Sequence, residues 1–307
     1  MAITSQMVKT LRDKTNAGMM DCKKALAESD GDIEKAVDWL RQKGLATAQK
    51  RAGRATKEGL VLAAENPSGS KGALVELNVE TDFVAKMDSF RELTANIAEY
   101  LANADDPPTD VADLLTRKCP KCGQVIGDLI QGAVGTTGEN MKLRRFVVYE
   151  QTQGLVHAYI HMQGRLGVLI DLKVEKPGPK AVELAHNLAM QIAAANPISV
   201  NVADVPPAVL EREKAIYAVK AEAEAEAKVQ KSAKPLDKNF LIPKIVEGQI
   251  KKFYSEAVLL EQAYVKEPSQ TVTQFLKAAK AEVGPVEVVR FARFQLGEEL
   301  AGENVDE

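Results

Sequence analysis

Basic residues are not in excess in this chain: 40 lysines and arginines stand against 43 aspartates and glutamates, a formal net charge of -3. A phosphate-driven grip on nucleic acid needs a marked basic surplus, so no direct nucleic-acid partner is expected. No stretch approaches the ~18 apolar residues of a membrane span. The opening Met1-Ala2-Ile3-Thr4-Ser5-Gln6 also has no basic region followed by an apolar run, so the expectation is a cytoplasmic protein with no membrane partner. Three cysteines, an odd number in 307 residues, fit a reducing compartment better than a disulfide framework. Also missing are a phosphate-cradling glycine loop and any spaced set of nucleophile, base and acid, which argues against an enzyme. What remains is a length and a 45% hydrophobic content sufficient for two or three modest domains.

The stretch from Leu74 to Ala85 organises the rest. Ala73, Val75, Leu77 and Val79 alternate with Glu76, Asn78 and Glu80, which predicts a strand with one buried face. It ends at Thr81, and Asp82 and Phe83 follow as a carboxylate and a ring side by side. Asp88 and Ser89 then offer N-caps to a helix with Phe90, Leu93, Ile97 and Leu101 on one stripe. Phe83 is read either as a plug for the strand-to-helix corner or as a contact made to a partner.

Residues 1–45 read as a three-helix docking module of ubiquitin-associated type. Thr4 or Ser5 caps the first helix; Met19 to Leu26 forms the second; Asp32 caps a third that carries Ile33, Ala36, Val37 and Leu40, with Gly44 as its stop. The adjacent Met19 and Met20 are read either as core or as adaptable contact residues, and Cys22 as a small buried hydrophobe. Residues 46–58, with Lys50, Arg51, Arg54 and Lys57, read as a basic linker.

An internal repeat follows. Gly59-Leu60-Val61-Leu62-Ala63 precedes Gly72-Ala73-Leu74-Val75 by thirteen residues, and Gly154-Leu155-Val156-His157-Ala158 precedes Gly167-Val168-Leu169-Ile170 at the same spacing, each pair leading into an amphipathic helix. Residues 59–150 and 151–205 are therefore two halves of an α+β core with antiparallel strands. Arg144 to Tyr149 and Val286 to Phe294 are predicted to extend the two sheets. The second copy leaves its strand through Glu175-Lys176-Pro177-Gly178-Pro179, a plain turn, so the scaffold alone does not demand an Asp-Phe pair at Asp82 and Phe83.

Lys118-Cys119-Pro120-Lys121-Cys122-Gly123 has the look of a zinc knuckle. Tetrahedral zinc takes four ligands, and no second Cys-x-x-Cys exists; His157 and His161 share one strand face. Zinc at Cys119 and Cys122, a site shared between two chains, a disulfide or redox pair, and an unliganded loop all stand open.

Residues 206–266 read as an antiparallel coiled-coil hairpin. Its first arm has a thin seam of Val209, Ile216, Val219 and Ala223; its second carries Val246, Ile250, Phe253, Ala257, Leu260 and Tyr264. The alanine-rich first arm buries little area, so the hairpin is expected to lean on a partner or on a second copy as a homodimer. Residues 267–307 hold a helix, a strand and an acidic tail.

Taken together, the chain resembles the translation elongation factor Ts family over nearly its whole length. The carriers are Thr15 to Leu26, Gly31 to Ala36, Thr81-Asp82-Phe83-Val84-Ala85, Gly138-Glu139-Asn140, Gly164 to Leu169 and Val246-Glu247-Gly248. The resemblance implies a guanine nucleotide exchange factor that binds elongation factor Tu and needs no cofactor. Asp82 and Phe83, within Thr81 to Val84, would enter the GTPase near its magnesium. The resemblance places Arg12, Met19, Met20 and Lys23 on the docking face and His161 at the core contact, and it matches Gly138 to a family glycine. Departures are Asn16 and Met162-Gln163 where glycine or a small residue is usual, and Val79 for a common Cys. The cysteine knuckle and the lengthened hairpin between Lys231 and Pro243 stand outside the family pattern. The alternatives are a metal-binding protein and an adaptor for ubiquitin-like partners.

Overall fold

The computed structural model describes residues 3–15, 17–231 and 237–300; Asn16, the Lys234-Pro235-Leu236 part of the hairpin loop and the tail from Gly302 lie outside them. The chain is mixed α+β with antiparallel pairing. It forms two compact units, one of residues 1–150, 158–169 and 294–307 and one of residues 151–157 and 170–293.

In the first unit the N-terminal helices are α1 (Ser5–Thr15), α2 (Met19–Glu28) and α3 (Ile33–Arg51). The Thr4 hydroxyl accepts from the Met7 N–H at 3.2 Å, and Asp32 accepts from the N–H groups of Glu34 and Lys35. Both satisfy donors that a helix start leaves orphaned. Leu11, Cys22, Ala25, Leu26 and Ala36 form the shared core. Gly44 does not end α3 as its sequence context predicts: the helix continues to Arg51 and takes up much of the expected basic linker. The reason is a helix crossing. Gly44 faces Gly135 so closely that a Cβ on Gly135 would lie 2.6 Å from the Gly44 Cα.

The first sheet has the antiparallel order β1-β2-β3, with β1 (Glu58–Glu65), β2 (Lys71–Val79) and β3 (Met141–Glu150). Between β2 and β3 run α4 (Asp82–Ala85), α5 (Asp88–Asn103), α6 (Val111–Thr116) and α7 (Ile126–Thr137). Phe90, Leu93, Ile97 and Leu101 of α5 join Ala73, Val75, Leu77 and Val79 in one core, as the two periodicities predict. Two details differ from expectation. The residue before α5 is Met87, extended and without a side-chain cap, so Asp88 adds a charge to the first turn instead of capping it. All nine residues of β2 are buried, including Glu76 and Asn78. As the central strand, β2 has its second face covered too: Arg144 and Arg145 reach Glu76, and Arg145 also holds Glu298.

Further on lie β4 (Gly154–His161), β5 (Leu166–Val174), α8 (Pro179–Ala195), α9 (Pro207–Lys231), α10 (Lys238–Ala257), β6 (Ala263–Tyr264), β7 (Glu267–Thr271), α11 (Val272–Val283) and β8 (Val286–Gln295). The second sheet has the order β4-β5-β8. Thus Arg144 to Tyr149 and Val286 to Phe294 each add a strand to one sheet, as predicted. α8 ends where Asn196 takes a left-handed φ of 45° ahead of Pro197.

Lys238 at the start of α10 pairs with Glu226 near the end of α9, and Glu256 near the end of α10 bears on Tyr217 of α9, so the two helices run antiparallel. Their packing differs from the predicted seam. Val209, Ile216, Val219 and Ala223 are exposed, Val219 at 71%, while Ala221 and Ala225 are fully buried. Methyl side chains let the helices approach closely, and the bulkier apolar residues are turned outward. The predicted run through Leu260 and Tyr264 also stops short, because α10 ends at Ala257. There the chain turns to bridge Ser199, whose carbonyl accepts from the Leu259 N–H at 2.9 Å. Tyr264 belongs to β6 and stacks on Phe275 with ring centroids 4.2 Å apart.

Candidate functional site

Where β2 ends, Thr81 is still extended, and the next four residues close a single helical turn. Its hydrogen bonds run from the Ala85 N–H to the Thr81 carbonyl and from the Lys86 N–H to the Asp82 carbonyl. The turn is two-faced. Val84 and Ala85 are buried in the sheet core, while Phe83 is 80% exposed. Burying a Phe side chain is worth about 1.5–3 kcal/mol, and the fold forgoes that stabilisation here. The corner-plug reading of Phe83 is therefore excluded; Val84 fills that role. Asp82 is paired with Lys86 at 2.5 Å. That hydrogen bond, with the charges of Lys86 and Arg165, holds the Asp82 carboxyl below its usual range.

The turn is anchored from behind. The Thr81 N–H and hydroxyl both donate to the Glu139 carboxylate, at 2.9 and 2.7 Å. In return the Glu80 carboxylate accepts from the Asn140 N–H at 2.6 Å and pairs with Arg54 and Arg51. The Asn140 N–H is the first cause of a lowered Glu80 pKa. Gly138 makes this exchange geometrically accessible. It caps α7 at φ 74°, its N–H donating to the Val134 carbonyl, and so reverses the chain toward Thr81. Glu80, Glu139 and Arg165 were missed as site residues. The Gly-Glu-Asn segment was a signal for Glu139, whereas strand alternation had assigned Glu80 to a plain polar face.

His161 ends β4 exposed, its Nδ1 2.8 Å from the Tyr159 hydroxyl. After it Met162, Gln163 and Gly164 take φ values of 50°, 57° and 98°. This left-handed run explains why glycine or a small residue suits the segment. Gly164 presses on Leu60 and Val61 of β1, Arg165 pairs with Glu58 at 3.2 Å, and the same Arg165 acts on Asp82. Thr81, Asp82, Phe83, Val84, Gly138 and the His161 turn thus gather around one end of the first sheet.

Arg12, Met19, Met20 and Lys23 lie exposed on α1 and α2. Both methionines are outside the helical core, at 59% and 74% exposure, which removes the core reading. Among the described residues no hydrogen bond or ion pair joins these four to the Phe83 corner.

The knuckle is formed. Lys118 bridges Val125, the Gly123 N–H donates to the Cys119 carbonyl, and Gly123 has φ 70°. The two sulfurs lie 2.9 Å apart, and the Cys122 N–H donates to the Cys119 sulfur at 3.3 Å. Burial, with the Cys119 thiol beside it, pushes the Cys122 thiol up to about 11. No third ligand joins them: among the described residues no group of three or more His, Cys, Asp or Glu is placed to hold a metal ion. His157 meets His186 at 3.2 Å, and His161 meets Tyr159.

A family model described as Elongation factor TS matches residues 80–298, a span that begins at Glu80 and takes in Glu139, His161 and the knuckle. Three proteins named Elongation factor Ts are similar along nearly their whole length. That of Parvibaculum lavamentivorans is 44% identical over 310 residues, 99% of this chain and 96% of its own. That of Syntrophotalea carbinolica is 45% identical over 302 residues, 98% and 95%, and that of Aquifex aeolicus 42% over 301, 97% and 99%. The family's role is nucleotide exchange in translation elongation. On the match of Glu80 to Glu298 and the near full-length identity, the chain belongs to the elongation factor Ts family.

Proposed function

We propose that the chain binds elongation factor Tu and speeds its release of GDP by carrying Asp82 and Phe83 toward the magnesium and phosphate site of the GTPase. The observation that carries this reading is the Phe83 ring, 80% exposed on a one-turn helix whose base is fixed to Glu139. A ring held out on a rigid corner enters a partner without first being ordered, so little binding energy is spent on immobilising it. Mg²⁺ and the backbone amides of a phosphate loop supply much of a nucleotide's affinity, and displacing either lowers it. No bond of the nucleotide breaks. Factor and nucleotide weaken each other reciprocally, which is a coupling of two binding sites.

In this reading residues 1–45 are a docking module of ubiquitin-associated type that presents Arg12, Met19, Met20 and Lys23. The halves 59–150 and 151–205 are a duplicated frame for the Phe83 corner and His161, and the hairpin of α9 and α10 is a second handle. The helical run of α3 to Arg51 makes the connection between module and frame stiffer than a free tether. The metal-binding and adaptor alternatives leave the family match over residues 80–298 without explanation. Stopped-flow release of a fluorescent GDP from elongation factor Tu tests the proposal. The parent protein accelerates release and Phe83→Ala does not. No acceleration by the parent removes the exchange reading, whereas full acceleration by the variant removes only the ring's part in it.

A further inference from the structure

The knuckle between α6 and α7 lies outside the exchange machinery described above. We infer that Cys119 and Cys122 form a reversible dithiol site, closed to an intramolecular disulfide by exchange with a low-molecular-weight peptide disulfide such as glutathione disulfide. The two sulfurs are already 2.9 Å apart, so forming the bond needs a closure of about 1 Å. The loop is preset around them by the Lys118 to Val125 bridge, by the Cys119 N–H donating to the Gln124 carbonyl at 2.8 Å, and by the left-handed Gly123. The unequal exposure of the pair fixes the order of events: Cys119 is 2% exposed, while Cys122 is half-buried.

Cys122, the more exposed of the two, therefore reacts first, through the small fraction of thiolate that its raised pKa leaves. Its thiol loses a proton, and the thiolate attacks one sulfur of the small disulfide. A mixed disulfide forms, and one small thiolate leaves and takes up a proton. The Cys119 thiol then loses its proton and its sulfur attacks the Cys122 sulfur, releasing the second small thiol. Two protein thiols are oxidised to one disulfide, and one small disulfide is reduced to two thiols. A neighbour already in contact closes far faster than a second bimolecular exchange. Four-ligand zinc is the competing use of such a knuckle, and the described residues supply only two of its ligands.

The test is peptide mapping with differential thiol alkylation after equilibrating the full chain in glutathione buffers of rising disulfide content. Linkage of Cys119 to Cys122 with loss of two hydrogens, reversed by excess thiol, is the expected result. Buried Cys22, its sulfur 3.6 Å from the Ala17 carbonyl, stays a free thiol throughout as an internal reference. In Cys119→Ser the mixed disulfide at Cys122, only transient in the parent, becomes the stable product. In Cys122→Ser, which alters the more exposed position, neither closure nor a rapid adduct is seen. Thiols that remain alkylatable at every ratio overturn the inference, as do disulfides formed only between chains. Stoichiometric zinc that shields both thiols until a chelator removes it also overturns it, in favour of a metal site.

Discussion

Thr81 gives both its backbone N–H and its hydroxyl to one carboxylate, that of Glu139. Adjacent Glu80 and Asn140 make the reverse exchange. The strand end that launches Phe83 is thereby tied to the C-terminus of α7 by reciprocal contacts across 58 residues of sequence. Hydrogen bonds to a charged acceptor contribute about 1.5–3 kcal/mol each. Glu139→Ala is expected to leave the fold intact but to loosen the turn, with exchange acceleration falling about tenfold, a change equivalent to ~1.4 kcal/mol. Thr81→Ala, which keeps the backbone donor, falls less. Stopped-flow exchange beside a thermal melt separates the corner from the fold; unchanged exchange in Glu139→Ala would dismiss the tether.

Met19 and Met20 predict a different signature. Both are exposed, so replacing both with Ala is expected to change stability by no more than about 0.5 kcal/mol. If they dock the partner, the concentration giving half-maximal exchange rises severalfold while the maximal rate holds. Titration of the exchange rate against factor concentration reads both quantities, and a fall in the maximal rate alone would place them elsewhere in the mechanism.

At the α3 and α7 crossing two effects compete in one substitution. Replacing a helical glycine with alanine ordinarily gains up to ~1 kcal/mol in propensity. In Gly135→Ala the new methyl would sit 2.6 Å from backbone at Gly44, and overpacking against backbone costs about 1–3 kcal/mol. The clash wins, and denaturant unfolding is expected to show net destabilisation. Gly132→Ala on the same helix meets nothing within 4 Å and is expected to be neutral or stabilising.

Much of this architecture was legible because its signals are local. Asp32 as a cap and the thirteen-residue hairpin repeat needed only neighbouring residues. Gly44 misled because a glycine after an apolar run marks either a stop or a close crossing, and only its distant partner Gly135 decides which. The hairpin seam failed for a similar reason: periodicity favoured Val219, yet closeness of approach favoured Ala221 and Ala225. At the site, the absence of an Asp-Phe pair from the second repeat marked Asp82 and Phe83 but left plug and contact open, and only the 80% exposure of the ring decides against the plug. The Gly-Glu-Asn segment marked Glu139 itself, but not its pairing with Thr81, since no period or cap relates the two.

Acid is expected to weaken the corner. The folded state holds the Glu80 carboxyl below its ordinary pKa through the Asn140 N–H and Arg54. Its contribution to stability is therefore fully present above the unfolded value, and is lost as pH falls through the folded one. Thermal midpoints should drop on acidification below about pH 5, and Glu80→Gln should shrink that slope while lowering the midpoint near neutrality. An identical slope in the variant would assign the acid sensitivity to other carboxylates.

Glu76 sets the largest expected stability loss. Its side chain is fully buried and accepts from Arg144 at 3.1 Å and from Arg145 at 2.7 Å; Arg145 also holds Glu298 and lies over the Phe294 ring. A buried ion pair adds little over well-packed apolar residues, because desolvation offsets its Coulomb attraction, but removing one member leaves charge stranded at a cost of about 3–5 kcal/mol. Glu76→Ala is expected to lose that amount in urea unfolding and to raise amide exchange in residues 294–298, the segment Arg145 retains. Replacing Glu76 and Arg145 together with Leu and Met should recover part of the stability, because Arg144 is then the one guanidinium left without Glu76 in place of two. Only the restoration of slow exchange at 294–298 would show that packing, not charge, retains the segment. With Glu298 held directly by Arg145, the expected outcome is recovery of stability without recovery of protection.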